Sequence, residues 1–134
     1  MRKVFATFIV LVGVLPFGCL LTSSATAADV TTSTQTIDFS GFTGGGFAPA
    51  PGAGQLDSDD WRVTGFSDGD TSFGGTFTSG DHARGASAGG ETTGGIYGFD
   101  VSNGGTVDRA FGVQPGGSDF TPGTMELRLT NNTG

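Results

Sequence analysis

One stretch of this chain specifies its own conformation, and it limits what the rest can build. From Thr124 to Thr130, Met125, Leu127 and Leu129 alternate with Thr124, Glu126, Arg128 and Thr130. That period of two puts an apolar row on one side of a strand and a polar row on the other. Pro122-Gly123 before it and Asn131-Asn132-Thr133-Gly134 after it are turn chemistry, so both ends are punctuated. A strand with one apolar face needs a second layer to cover it. The only long apolar run, Val4 to Leu21, belongs to the opposite end of the chain.

That run follows Arg2 and Lys3 and is closed by Ala25-Thr26-Ala27, the succession of charged, apolar and small-residue regions that marks a secretory signal peptide. Gly13, Pro16 and Gly18 interrupt it, which argues against a membrane anchor of the same length. Lipid attachment at Cys19 is the other alternative, although Phe17 is bulky where a lipobox has small residues. The reading is residues 1–27 as a signal-peptide helix cut between Ala27 and Ala28, 28–35 as a flexible entry segment, and 36–134 as one domain.

Cleavage removes the single cysteine, and with it any disulfide, thiolate metal site or cysteine nucleophile. It leaves four arginines and no lysine against thirteen acids, a net charge of −9. A surface of that sign repels phosphate, so nucleic acid is excluded as a partner. With the signal removed, no segment for membrane attachment is expected. The localisation expected is secreted, extracellular or at the cell surface.

Twenty-four glycines remain in this part, a composition that by itself suits a flexible tail. Nine phenylalanines, one Trp and one Tyr, clustered between the glycine turns, argue for a folded core instead. Strands are expected at 36–40, 61–64, 71–78, 96–101, 110–114 and 124–130. In the fourth, Tyr97, Phe99 and Val101 should share one face. Irregular loops are expected from Thr43 to Gln55 and from Gly80 to Glu91. No apolar pattern at helical spacing follows the signal, so the fold class is all-β, an antiparallel β-sandwich of jelly-roll type. No partner strand follows Thr130 to cover Leu127 and Leu129. The expectation is therefore a domain truncated at its C-terminus, able to self-associate through that edge.

Three segments, TTGGIYGFD (Thr92–Asp100), DRAFGVQPGGSDFTPG (Asp108–Gly123) and LRLTNNTG (Leu127–Gly134), occur in this order. Upstream stand SDDWRVTGFSDGD (Ser58–Asp70) and FTSGDHARGASAGG (Phe77–Gly90). Together they resemble a glycine-rich domain of bacterial secreted and surface proteins, of the kind sorted by a C-terminal PEP-CTERM segment. The resemblance implies a jelly-roll sandwich, export, and further strands after the NNTG element. It carries no catalytic residue to this chain.

For chemistry, His82 is the only histidine and is expected in a solvated loop; with no cysteine beside it, a structural zinc site is not expected. The acids Asp57, Asp59, Asp68 and Asp70 lie at D-x-D spacing on Gly/Ser loops, a pattern that can bring two carboxylates to one calcium ion. Solvated loops are the plainer reading of the same residues. Trp61 and Tyr97 could stack on a sugar ring, but both fall in strand patterns where core packing is the expected role. The function these features suggest is a non-catalytic exported module, structural or adhesive, meeting extracellular polysaccharide or other surface proteins. A carbohydrate-binding module and an accessory domain of a secreted hydrolase are the alternatives. No cofactor is expected apart from calcium.

Overall fold

The computed structural model describes residues 28–30, 36–102, 105, 107–131 and 133. The signal segment, Cys19 and Ala27 lie outside them. The fold is all-β and sandwich-like: nine strands stand among the described residues, joined by turns and one short 3₁₀ turn at Gly80–His82. The strands are β1 (Ala28–Val30), β2 (Phe42–Ala48), β3 (Gly54–Asp57), β4 (Trp61–Thr64), β5 (Ala86–Ser87), β6 (Gly95–Asp100), β7 (Arg109–Gln114), β8 (Thr124–Leu127) and β9 (Leu129–Asn131). They pair as four small sheets, β1-β9, β2-β3, β4-β8 and β5-β6-β7. The pairs β4-β8 and β6-β7 are antiparallel, as expected, but β1-β9, β2-β3 and β5-β6 are parallel.

The core is aromatic. Phe42, Phe47, Val63, Phe66 and Ile96 are buried at its centre, and Phe39, Leu56, Trp61, Phe77, Phe111, Val113 and Phe120 pack around them. Phe111, in β7, touches four rings: Trp61 at 5.3 Å between centroids, Phe42 at 5.6 Å, and Phe39 and Phe47 at 5.9 Å each. Most of these contacts are edge-on, the geometry that ring quadrupoles favour. A residue ahead of β2, both ends of β2 and the start of β4 are thereby held on one side chain of β7.

Several expectations are corrected. Residues 36–40 form no strand; Phe39 still packs on the core, and its carbonyl accepts the Phe42 N–H at 2.8 Å. Thr43 to Gln55, expected as loop, contains most of β2 and the start of β3. The glycine triplet makes this possible. A Cβ at Gly44 would stand 2.1 Å from the Gly85 carbonyl oxygen, and one at Gly46 would stand 2.1 Å from that of Phe77. Both residues also have positive φ, 72° and 89°, so only glycine lets the backbones approach this closely. The triplet accommodates a register shift between Phe42 and Phe47 against β3. The strand expected at 71–78 reduces to one antiparallel bridge, Phe77 to Phe47.

Gly80 to Glu91 is not a uniformly exposed loop, since Asp81, His82 and Ser87 are buried in it. Ala28 to Val30, assigned to a flexible entry, pairs with β9. In β6 the face turned to the central core carries Ile96, with Gly98 against β2, rather than Tyr97, Phe99 and Val101. Tyr97 is buried beside Phe99 at 5.5 Å, while Val101 is exposed.

The stretch from Thr124 to Thr130 is strand, broken at Arg128 into β8 and β9. Leu127 stands opposite Trp61 and is half-buried, whereas Met125, opposite the fully buried Val63, is 42% exposed and Leu129 is 56% exposed. β8 forms the rim of its sheet, and the core covers only part of its apolar row.

Candidate functional site

The polar residues gather in two places. The larger group lies where the loop at 66–70 meets the 3₁₀ turn and the turn before β8. Asp81, only 2% exposed, accepts hydrogen bonds through Oδ2 from the Ser67 hydroxyl (2.9 Å) and the Asp68 amide (3.0 Å). Its Oδ1 accepts from Arg84 Nη2 at 2.5 Å. Arg84 Nε donates to the Gly94 carbonyl at 2.9 Å. Asp68 returns the exchange by accepting the Asp81 amide at 2.9 Å, and Asp119 accepts the Ser67 amide at 2.8 Å.

Burial and the Asp68 carboxylate both oppose ionisation of Asp81. The bonds from Ser67 and the Asp68 amide, with the Arg84 guanidinium, outweigh them and hold its carboxyl below the ordinary range. His82 is buried as well, correcting the expectation of a solvated ring. Its Nε2 lies 3.0 Å from the Gly69 carbonyl, and the ring packs against Phe66 and Phe77 at 5.6 and 5.5 Å.

The second group is the turn between β3 and β4. Asp57 Oδ1 accepts the Asp59 amide at 2.8 Å, closing the turn on itself. Ser58 and Asp59 are buried, 0% and 2% exposed. The Ser58 carbonyl accepts the Gly74 amide at 3.0 Å, which ties this turn to the one at 72–75.

The four acids singled out from sequence therefore do not converge on one point. Asp57 and Asp59 share the β3-β4 turn. Asp68 is engaged with Asp81, and Asp70 Oδ1 caps the Gly65 amide at 2.8 Å. Among the described residues no three His, Cys, Asp or Glu side chains are grouped as metal ligands. Trp61 packs on Phe39 and Phe111. Tyr97 is 5% exposed and donates its hydroxyl to the Thr93 carbonyl at 3.1 Å. Burial and Glu91 raise its pKa, as expected for a phenol that keeps its proton in an apolar setting. Both aromatics thus serve the interior.

A shallow open cavity of about 170 Å³ lies between β5, the end of β6 and the start of β7, lined by Ala86, Ser87, Ala88, Asp100 and Arg109. The Ser102 hydroxyl and amide, with Arg109, keep the Asp100 carboxyl low.

Sequence reasoning missed the Asp81–Arg84 pair, Ser67 and Asp119. The spacing of Asp81 and Arg84, one 3₁₀ turn apart, was the available signal; Asp119 had none, because only the tertiary fold brings it to Ser67. No family model, curated protein or solved structure matches the chain. Among the described residues no helix is long and apolar enough to cross a membrane.

Proposed function

We propose that this chain is an exported bacterial module that acts through its surface, with a structural or adhesive role and no catalysis of its own. The observation that carries the reading is how the polar groups around the buried Asp81 and Asp119 are used. Asp81, Arg84, Ser67, Asp68 and Asp119 bond to one another and to backbone, knitting three loops together. A hydrolytic site instead needs a nucleophile and a base converging on space that a substrate can enter. Here the buried histidine contacts a carbonyl and two aromatic rings.

The Arg2-Lys3, apolar and Ala-Thr-Ala succession supports export, and the acidic, lysine-free remainder supports a solvated exterior. The likeness of the GGIYGF and NNTG elements to PEP-CTERM-sorted surface proteins agrees with both. The experiment is to express the full chain in a bacterial host with a C-terminal tag, fractionate the culture, and sequence the exported product. Material outside the cytoplasm beginning at Ala28 is expected; material retained inside and beginning at Met1 would refute export. The purified product should bind no saccharide on a glycan array, and reproducible binding to one glycan class would replace the structural role by a lectin-like one.

A further inference from the structure

We propose that β8 is the contact of a homodimer: two copies of this chain pair antiparallel along that edge, with the two-fold axis passing at Leu127. The stretch from Thr124 to Thr130 reads TMELRLT and is complementary to its own reverse about Leu127. An antiparallel copy in that register sets Leu127 against Leu127, Met125 against Leu129, Glu126 against Arg128 and Thr124 against Thr130. Apolar meets apolar and acid meets base, and the axis repeats each unlike pair.

The fold leaves this edge open. β8 pairs with β4, Trp61 standing opposite Leu127 and Val63 opposite Met125, and Arg128 continues the line by donating its amide to the Asp60 carbonyl. Successive residues of an antiparallel strand turn their main-chain groups to opposite sides. Glu126 and Arg128 therefore face β4, while the amides and carbonyls of Met125 and Leu127 face away from it without a partner among the described residues. The far edge of β4 is closed, since the Val63 amide and carbonyl bond to Thr71. Met125 and Leu129 are exposed at the open rim. No lysine or proline blunts it between Thr124 and Thr130.

Charge selects the register. Main-chain bonds form only where outward-facing residues stand opposite one another, and Met125 against Leu127 would set Glu126 against Glu126, a destabilising like pair. Met125 against Met125 leaves Leu129 uncovered and Arg128 without an acid. The register centred on Leu127 covers both exposed side chains and gives each Glu126 a cation. Arg128, whose guanidinium lies 4.6 Å above the Phe73 ring, makes no ion pair among the described residues. The Glu126 pair with Arg62, 3.8 Å long and exposed on both sides, is weak enough to share the carboxylate. Beyond Arg128 the chain enters β9 and pairs with β1, so the shared ladder is short. A contact this small forms only at high protein concentration.

Sedimentation of the exported chain should show a monomer–dimer equilibrium that moves to dimer as concentration rises. Glu126→Arg and Arg128→Glu should each give monomer, because each sets like charges opposite across the axis. Mixed together, the two variants should recover the dimer, since positions 126 and 128 are then again opposite in sign. If Arg128→Glu does not fold by circular dichroism, Leu127→Cys decides. Hydrogen-bonded antiparallel partners stand about 5.5 Å apart at Cα, within the reach of a disulfide. Oxidation should therefore link Leu127→Cys into a covalent dimer and leave Glu126→Cys, which is offset from its own copy, unlinked. A monomer up to the solubility limit, a dimer that Glu126→Arg leaves intact, or a failure of Leu127→Cys to cross-link would each overturn the proposal. So would assemblies larger than two, because a two-fold contact closes on itself.

Discussion

Replacing Asp81 by alanine removes the acceptor for three hydrogen bonds at once: Ser67 Oγ, the Asp68 amide and Arg84 Nη2. Bonds to an ionised group contribute roughly 1.5–3 kcal/mol each when buried. Here the donors recover part of that from water, because Ser67 and Asp68 are exposed and the Arg84 side chain is 31% exposed. The net cost should therefore be near the low end, about 3 kcal/mol for the three together. Arg84→Ala removes one of the three bonds but strands a carboxylate oxygen that is buried, and should cost about 2 kcal/mol. The two residues are in contact, so the double variant should cost less than the sum, with a coupling of about 1–2 kcal/mol.

Urea unfolding followed by Trp61 fluorescence measures all three. The acid limb provides an independent check. Asp81 has a depressed folded pKa, so its stabilisation is fully present above the unfolded carboxylate value of 3.8 and is lost as pH falls through the lower folded value. The gap between the parent chain and Asp81→Asn should hold near neutrality and close below about pH 4. A gap under about 1 kcal/mol at pH 7, or one that does not narrow in acid, would refute the claim that this pair fastens the loops.

Phe111→Ala, which takes away the ring that four aromatic partners share, should cost about 3 kcal/mol by the same urea titration, while Phe111→Leu should restore much of it. Gly46→Ala should abolish cooperative unfolding or lower the melting temperature by roughly 10 °C or more, because positive φ and a 2.1 Å approach to the Phe77 carbonyl both exclude a Cβ. Glu126→Gln should change stability by less than about 0.5 kcal/mol, since its 3.8 Å pair with Arg62 is exposed on both sides.

Period-two alternation and glycine punctuation were enough to read an all-β chain. They also located β4, β6, β7 and β8, although in β6 the core face carries Ile96 and in β8 Met125 stays exposed. Trp61 and Val63 were in phase, and Ile96 to Asp100 carried aromatic and β-branched residues that suit a pleated surface. The buried centre of the fold was not legible. β2 reads as FTGGGFA, with no alternation, and its place as a strand comes from neighbours it meets only after folding: the Gly85 and Phe77 carbonyls and the backbone of β6. Glycine in isolation signals a loop; glycine between two close backbones is what lets them pack.

The polar sites divide in the same way. Asp57 and Asp59 could be singled out by spacing alone, since neighbours in a turn are neighbours in space. The Asp81 network could not, because residues 67, 68, 81, 84, 94 and 119 come together only through the topology. Local periodicity thus determined the class of structure. Burial, a property of distant segments meeting, decided which carboxylates became structural, and it turned the lone histidine and Tyr97 inward.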